Sequence, residues 1–182
     1  AAHGMKTFDA VIVGGGIQGT GIAYAAAAAG HSVLLLEKSA LATGTSSKSS
    51  KLIHGGLRYL ESGQLGLVHE SLRERRILLK IAPDLVQLKP FFIPVYHDTR
   101  RKPWQLRLGL SAYALLSGFR RGAGFGTVPR REWSRLDGLD VRSLRSVFRY
   151  HDGQTDDAAL TRAVMRSAQA LGATLALPAT FL

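Results

Sequence analysis

The chain has 182 residues, with 24 lysines and arginines against 13 acids, a formal charge of +11, and no cysteine. That length suffices for one domain with its own core and a fraction more, and the missing cysteines exclude disulfide and thiolate chemistry and suit the cytosol. No run approaches the roughly 18 apolar residues of a membrane span, the first apolar run is too short for a signal peptide, and without zinc-finger, helix-turn-helix or RNP patterns the basic balance points away from nucleic acid, leaving an anionic ligand, an anionic membrane or an acidic remainder of the protein.

Ala1 to Gly4, ahead of Met5, read as lying outside the fold. Phe8 to Val13 is an apolar run, predicted as a short buried strand. Gly14, Gly16 and Gly19 follow it in G-x-G-x-x-G spacing, and Ile17 to Ala29 reads as a helix kept slim by five alanines, Ala25 to Ala29. Such a turn lets backbone approach a pyrophosphate and aims a helix N-terminus at it. A tight strand-to-helix turn without a ligand is the plainer alternative. Gly30 closes the helix. Ser32 to Leu36 is apolar throughout, as a parallel strand covered on both faces is. Glu37 comes next, 18 residues after Gly19. A carboxylate there accepts hydrogen bonds from the ribose hydroxyls of an adenosine and argues against the 2′-phosphate of NADP. NAD and FAD remain open at this point.

Thr43 to Lys51 packs six hydroxyls, two lysines and one glycine into nine residues. The composition is that of a flexible linker. It stands, however, where the second strand hands over to the next element, and hydroxyls, lysines and backbone N–H groups also line phosphates and flavin edges. The string Thr45-Ser46-Ser47-Lys48-Ser49-Ser50-Lys51-Leu52-Ile53-His54-Gly55-Gly56-Leu57-Arg58-Tyr59-Leu60-Glu61 resembles the flavin-proximal segment of the FAD-dependent glycerol-3-phosphate dehydrogenases, within the D-amino-acid-oxidase-like flavoprotein superfamily. The resemblance continues through Leu67 to Pro94 and returns at Tyr150 to Leu160, so the chain reads as the N-terminal part of an enzyme several hundred residues long.

The resemblance implies that Gly14, Gly16 and Gly19 hold the FAD pyrophosphate and Glu37 its ribose. It implies that Thr45, Ser46, Ser47, Lys51 and Leu52 run beneath the cofactor, that Gly55 and Gly56 bring backbone to the isoalloxazine ring, and that Arg58 and Tyr59 face the substrate. A guanidinium fork suits a phosphate, although a lone arginine is otherwise a surface residue. His54 is a candidate for polarising the flavin or for proton transfer; a histidine beside a glycine pair also has a merely positional reading, and the resemblance implies that the base itself lies in the remainder of the enzyme.

Gly66 to Ala82 is predicted as an amphipathic helix, with Val68, Leu72 and Leu79 on one face, Arg73, Arg76 and Lys80 mostly off it, and Pro83 stopping it. Phe91 to Val95, broken by Pro94, reads as an edge strand. Arg100 to Leu116 brackets an apolar helix carrying Trp104 and Tyr113 with basic clusters, the second being Phe119-Arg120-Arg121. That pattern fits a helix in an anionic membrane interface with both aromatics at the boundary, or a core helix with basic ends. Gly122 to Thr127 reads as a loop, Pro129 to Leu144 as one or two short helices, and Val147 to His151 as a strand able to pair with the Phe91 strand. Tyr150 to Gln154 is predicted as a turn. Asp156 and Asp157 open a helix to Leu171 as caps rather than as a metal or acid-base pair, and no metal site is expected. Ala159 stands where the resembled family has arginine. Ala173 to Leu177 is a last strand.

The expected fold is α/β, a Rossmann-type FAD-binding unit (residues 5–65 and 151–182) with a partial substrate or cap region inserted (66–150). The implied reaction is oxidation of sn-glycerol 3-phosphate to dihydroxyacetone phosphate with electrons passing to quinone, by a cytoplasmic protein peripheral on the inner face of the cell membrane. Alternatives are another flavin oxidoreductase acting on an amine or hydroxy acid, a non-catalytic nucleotide- or membrane-binding fragment, and an NAD-dependent dehydrogenase, the last disfavoured by the serine- and lysine-rich stretch.

Overall fold

The computed structural model describes residues 6–118 and 124–181. In chain order the elements are β1 (Ala10–Val13), α1 (Ile17–Ala28), β2 (Val33–Leu36), a 3-10 turn (Thr45–Ser47), β3 (Leu52–Ile53), a second 3-10 turn (Leu57–Leu60), α2 (Leu65–Ile81), β4 (Val86–Tyr96), α3 (Pro103–Leu116), β5 (Gly126–Thr127), a third 3-10 turn (Arg130–Arg135), β6 (Leu144–Thr155), α4 (Asp157–Ala170) and β7 (Thr174–Ala176). They divide into two compact units. One runs up to Lys51 and resumes at Thr155; the other is Leu52–Gln154.

The first unit is a parallel sheet in the order β1-β2-β7. Its register sets Ile12 beside Leu35, and Leu35 beside Leu175. These side chains and Val33 meet Ala23 and Ala27 of α1 and Met165 and Ala168 of α4. The alanines are what let two helices approach one narrow sheet. Val33, Leu35 and Met165 are fully buried, each contributing roughly 1.5–3 kcal/mol of transfer free energy. Both helices cover the same sheet face, so β1, read as a buried strand, is covered on one side alone, and β2, read as covered on both faces, buries Val33 and Leu35 fully but Leu34 and Leu36 only in part. Val11 and Val13 alternate with Ile12 and stand 53% and 63% exposed. Asp9 pins the start of β1, accepting from Ser32 N at 2.7 Å and Ser32 Oγ at 2.8 Å.

The second unit holds a sheet in the order β3-β6-β4, with β5 also on β6. The proline-containing β4 is at an edge, as its missing N–H groups require. Behind the sheet, Val68 and Leu72 of α2 pack with Tyr113 of α3, and Val95, Leu110 and Phe148 form an adjoining cluster. Three local readings are corrected here. Tyr150 to Gln154 is not a turn but the end of β6, because Gly153 and Gln154 pair antiparallel with Ile53 and Leu52. That pairing also places Leu52 in the second compact unit. Tyr113 is not a boundary aromatic; it is 2% exposed. Pro129 to Leu144 contributes the 3-10 turn at Arg130–Arg135, and Gly126 and Thr127 pair with β6 instead of looping. Phe119, Arg120, Arg121 and Gly122 lie outside the described residues.

Candidate functional site

In the first unit, the turn after β1 continues the ladder by one bond, Gly14 N donating to Leu36 O at 2.8 Å, and then reverses. Gly14 has φ +108°, a conformation that side-chain-bearing residues rarely adopt. A Cβ on Gly19 would overlap the Gly14 carbonyl oxygen, so α1 lies directly on the turn. Thr20, fully buried, ties the first helical turn together by donating from Oγ1 to Gly16 O at 3.1 Å. The first turn of α1 carries no acidic residue, so its positive end and N-terminal amides remain suited to an anion.

Glu37 reaches back to this turn. Its Oε2 accepts from Gly15 N at 2.7 Å and its Oε1 from Ser39 N at 2.9 Å. These bonds, Ser39 first and Gly15 second, hold its carboxyl below the ordinary glutamate range. Glu37 O accepts from Ala179 N at 2.8 Å. A cavity of about 330 Å³ opens beside Val13, Gly14 and Glu37, with Ala179, Thr180 and Phe181 as its far wall.

The hydroxyl-rich run follows. Ser46 Oγ accepts from Ile17 N at 3.0 Å, taking the first amide of α1. Thr45 is exposed, and the Ser47 side chain lies outside what is described. Ser49 Oγ donates to Asp157 Oδ2 at 2.7 Å, anchoring the run to α4, whose cap is Asp156 accepting from Ala159 N at 3.0 Å. Lys51 has φ +58°, a left-handed conformation with a cost of order 1 kcal/mol or more for a residue with a side chain. Its N–H is taken by Ser49 Oγ at 2.9 Å and its C=O by Thr155 N at 2.9 Å.

The second unit carries the other candidates. Leu52 is half-buried in β3, and His54 is exposed with its ring 6.1 Å from that of Tyr59, edge-on. Gly55 and Gly56 are buried. Gly55 N donates inward to Asp152 Oδ1 at 3.0 Å, and Gly56, at φ +79°, accepts from Tyr59 N at 2.8 Å. Arg58 is exposed and, among the described residues, makes no ion pair. Three residues not read as part of this site stand behind this loop: Arg75, Tyr113 and Asp152. Burial, with the Asp152 charge adding to it, pushes the Tyr113 hydroxyl above its usual range. Arg75 continues the Val68–Leu72 stripe at i+7 and i+3, which is the signal that assigns it to the interior. The wall at Ala179 to Phe181 had no signal beyond following the last strand.

A family model described as FAD dependent oxidoreductase matches residues 9–180. The chain belongs to this family. A glycerol-3-phosphate dehydrogenase of Synechocystis sp. is 41% identical over 170 residues, covering 92% of this chain and 31% of the relative. A D-erythritol 1-phosphate dehydrogenase of Brucella abortus is 41% identical over 172 residues, covering 93% and 34%. The chain thus spans about a third of the length of these curated relatives. Among solved structures, the glycerol-3-phosphate dehydrogenase from Bacillus halodurans complexed with FAD superposes with a TM-score of 0.68 at 24% identity, over 98% of this chain and 28% of that one, which establishes the shared fold.

The residues of the first unit fit the adenosine and pyrophosphate of such a cofactor. The turn has a backbone only glycine tolerates, the helix end lacks a carboxylate, and the Glu37 carboxylate is fixed beside an open cavity. The charge on Glu37 has a testable consequence. Because its folded pKa lies below the ordinary 4.5, its bonds stabilise the fold fully above that value and are lost as pH falls through the lower folded one. Urea unfolding of Glu37→Gln should therefore trail the parent at pH 7 and draw level with it as falling pH protonates the folded carboxyl; a gap independent of pH would remove the charge from the account.

Proposed function

We propose that this chain holds FAD by the glycine turn and serves in the oxidation of a phosphorylated polyol, sn-glycerol 3-phosphate first, to dihydroxyacetone phosphate. The observation that carries the reading is Arg58, exposed and without an ion pair among the described residues, two residues beyond the buried Gly55–Gly56 pair. A guanidinium so presented is a bidentate partner for a phosphate dianion. The names of the relatives from Synechocystis sp. and Brucella abortus share that chemistry: each substrate is a short polyol with a terminal phosphate.

Gly14, Gly16 and Gly19 take the pyrophosphate against the α1 N-terminus, with Ser46 beside it. The Glu37 oxygens take the ribose hydroxyls. Thr45, Ser47, Lys51 and Leu52 line the cofactor, and Gly55 and Gly56 bring backbone to its ring. Arg58 holds the substrate phosphate, Tyr59 packs beside it, and His54 takes the C2 hydroxyl proton at an imidazole nitrogen. Bound FAD would supply the acceptor for the hydride leaving C2, with a membrane quinone as the final electron acceptor of the proposed reaction. The domain assignment is a FAD-binding domain from residues 5–65 and 151–182 with substrate-region residues 66–150 inserted. Since the chain spans about a third of its relatives' length, its 182 residues by themselves should bind FAD weakly and turn over slowly.

With FAD present, anaerobic sn-glycerol 3-phosphate should bleach the visible flavin band faster than glycine or proline does, and Arg58→Ala should slow that bleaching at least tenfold, the scale of one lost charge-assisted phosphate contact at about 1.5–3 kcal/mol. Bleaching by amino acids in preference, or an Arg58→Ala variant as fast as the parent, contradicts the substrate reading.

Contact with an anionic membrane face is part of the same proposal. Trp104, Leu108 and Leu115 form one row on α3 and are 63%, 65% and 64% exposed. Exposed Arg100, Lys102 and Arg107 flank it, while Arg101 is paired with Glu61, an arrangement suited to lipid headgroups and acyl boundary. No helix among the described residues is long and apolar enough to cross a membrane. Vesicles containing anionic lipid should retain the protein, and serine at 104, 108 and 115 together should release it while leaving its melting temperature unchanged. Equal retention of the two proteins would sink this part.

A further inference from the structure

The loop that follows β3 is held from behind by one buried charge pair. Asp152 is 1% and Arg75 6% exposed. Asp152 Oδ1 accepts three hydrogen bonds: Arg75 Nη1 at 2.7 Å, Gly55 N at 3.0 Å and Gly153 N at 3.0 Å. The same Arg75 nitrogen donates to the Tyr113 hydroxyl at 3.0 Å. A Cβ on Gly55 would fall on that hydroxyl and 2.5 Å from Leu72 Cδ2, so the Gly55 backbone rests against Tyr113 and α2. Three segments therefore meet at one carboxylate, the loop, α2 and the end of β6, and α3 joins them through the Tyr113 hydroxyl on Arg75.

Stability alone does not call for this arrangement. The surroundings are apolar, with Val68, Leu72 and Tyr113 in one cluster, and a buried ion pair can often be exchanged for well-packed apolar residues without loss of stability. What an apolar replacement cannot supply is an acceptor for the Gly55 N–H. That bond fixes which way the peptide between His54 and Gly55 faces, and through it the start of the segment that carries Gly56, Arg58 and Tyr59.

We propose that Arg75 and Asp152 are positioning residues, which hold the loop from His54 to Tyr59 by the Gly55 N–H and so set the geometry of its flavin-facing and substrate-facing groups. What the loop faces rests on the function proposed above; the clamp itself does not.

The test uses the whole chain labelled with 15N-glycine. In the parent the Gly55 amide should exchange slowly and resonate downfield, as a donor to a buried carboxylate. Asp152→Asn should speed its exchange about tenfold, the difference between a charge-assisted and a neutral bond, while the amides of Gly14 and Gly19 keep their rates. The double variant Arg75→Met with Asp152→Leu should recover the parental melting temperature and still leave Gly55 in fast exchange. With FAD added, both variants should keep parental affinity but change the circular dichroism of the visible flavin band. Slow Gly55 exchange in the double variant, or parental flavin dichroism in both, overturns the positioning role. If Asp152→Asn unfolds residues 52–154, the double variant decides alone. A parent without any flavin signal counts against the proposed function, while the Gly55 exchange still judges the clamp.

Discussion

The bond from Gly15 N–H to the Glu37 carboxylate joins the two ends of the first β-α-β unit, and the candidate cofactor site depends on it. It needs a parallel pairing of β1 with β2 in a register that brings Val13 beside Leu36. It needs α1 to begin within one residue of the turn, which the Gly19 contact with the Gly14 carbonyl allows. It also keeps a carboxylate charged at the rim of a cavity where adenosine hydroxyls are the natural partners. The glycine turn and the acid are thus one device: the turn offers amides suited to the pyrophosphate we propose for it, and the acid is unsuited to a further phosphate on the ribose.

The second unit solves a related problem with the opposite economy of charge. Its loop from His54 to Tyr59 packs by Leu57 and Tyr59 against the α2–α3 cluster, but the two buried glycines ahead of them bring no side chain of their own. The Arg75–Asp152 pair supplies the hold, and Tyr113 occupies the space that a side chain on Gly55 would have taken. Burying that pair is costly, and its partners keep it satisfied by five hydrogen-bonding contacts around one guanidinium nitrogen and one carboxylate oxygen. Arg58, by contrast, stays exposed, so this unit carries one arginine inward as scaffold and leaves another at the surface.

Much of this was legible in the residues, and the gaps have physical causes. The β-α-β unit announces itself through glycine spacing, five alanines and an acid at the strand end, all local signals. The exposure of Val11 and Val13 was not legible, because an apolar run reads the same whether one or two faces are covered. Asp152-Gly153 looks like a turn by composition; only pairing with Leu52 and Ile53, about a hundred positions earlier, keeps it extended. Tyr113 was open to a better reading. It lies nine positions after Trp104, roughly half a turn out of phase at ~100° per residue, whereas Leu108 and Leu115 return to the Trp104 face. Arg75 sat on an apolar stripe in plain view, hidden by the default that arginines point outward.

The central claim is that the glycine turn and Glu37 bind FAD, and the most direct measurement is an equilibrium titration of FAD fluorescence against the protein and against Gly19→Val. The account predicts saturable quenching by the parent, competed by ADP, and none by the variant, whose side chain would collide with the Gly14 carbonyl. Absence of saturable quenching by the parent, or equal quenching by a folded variant, would contradict it.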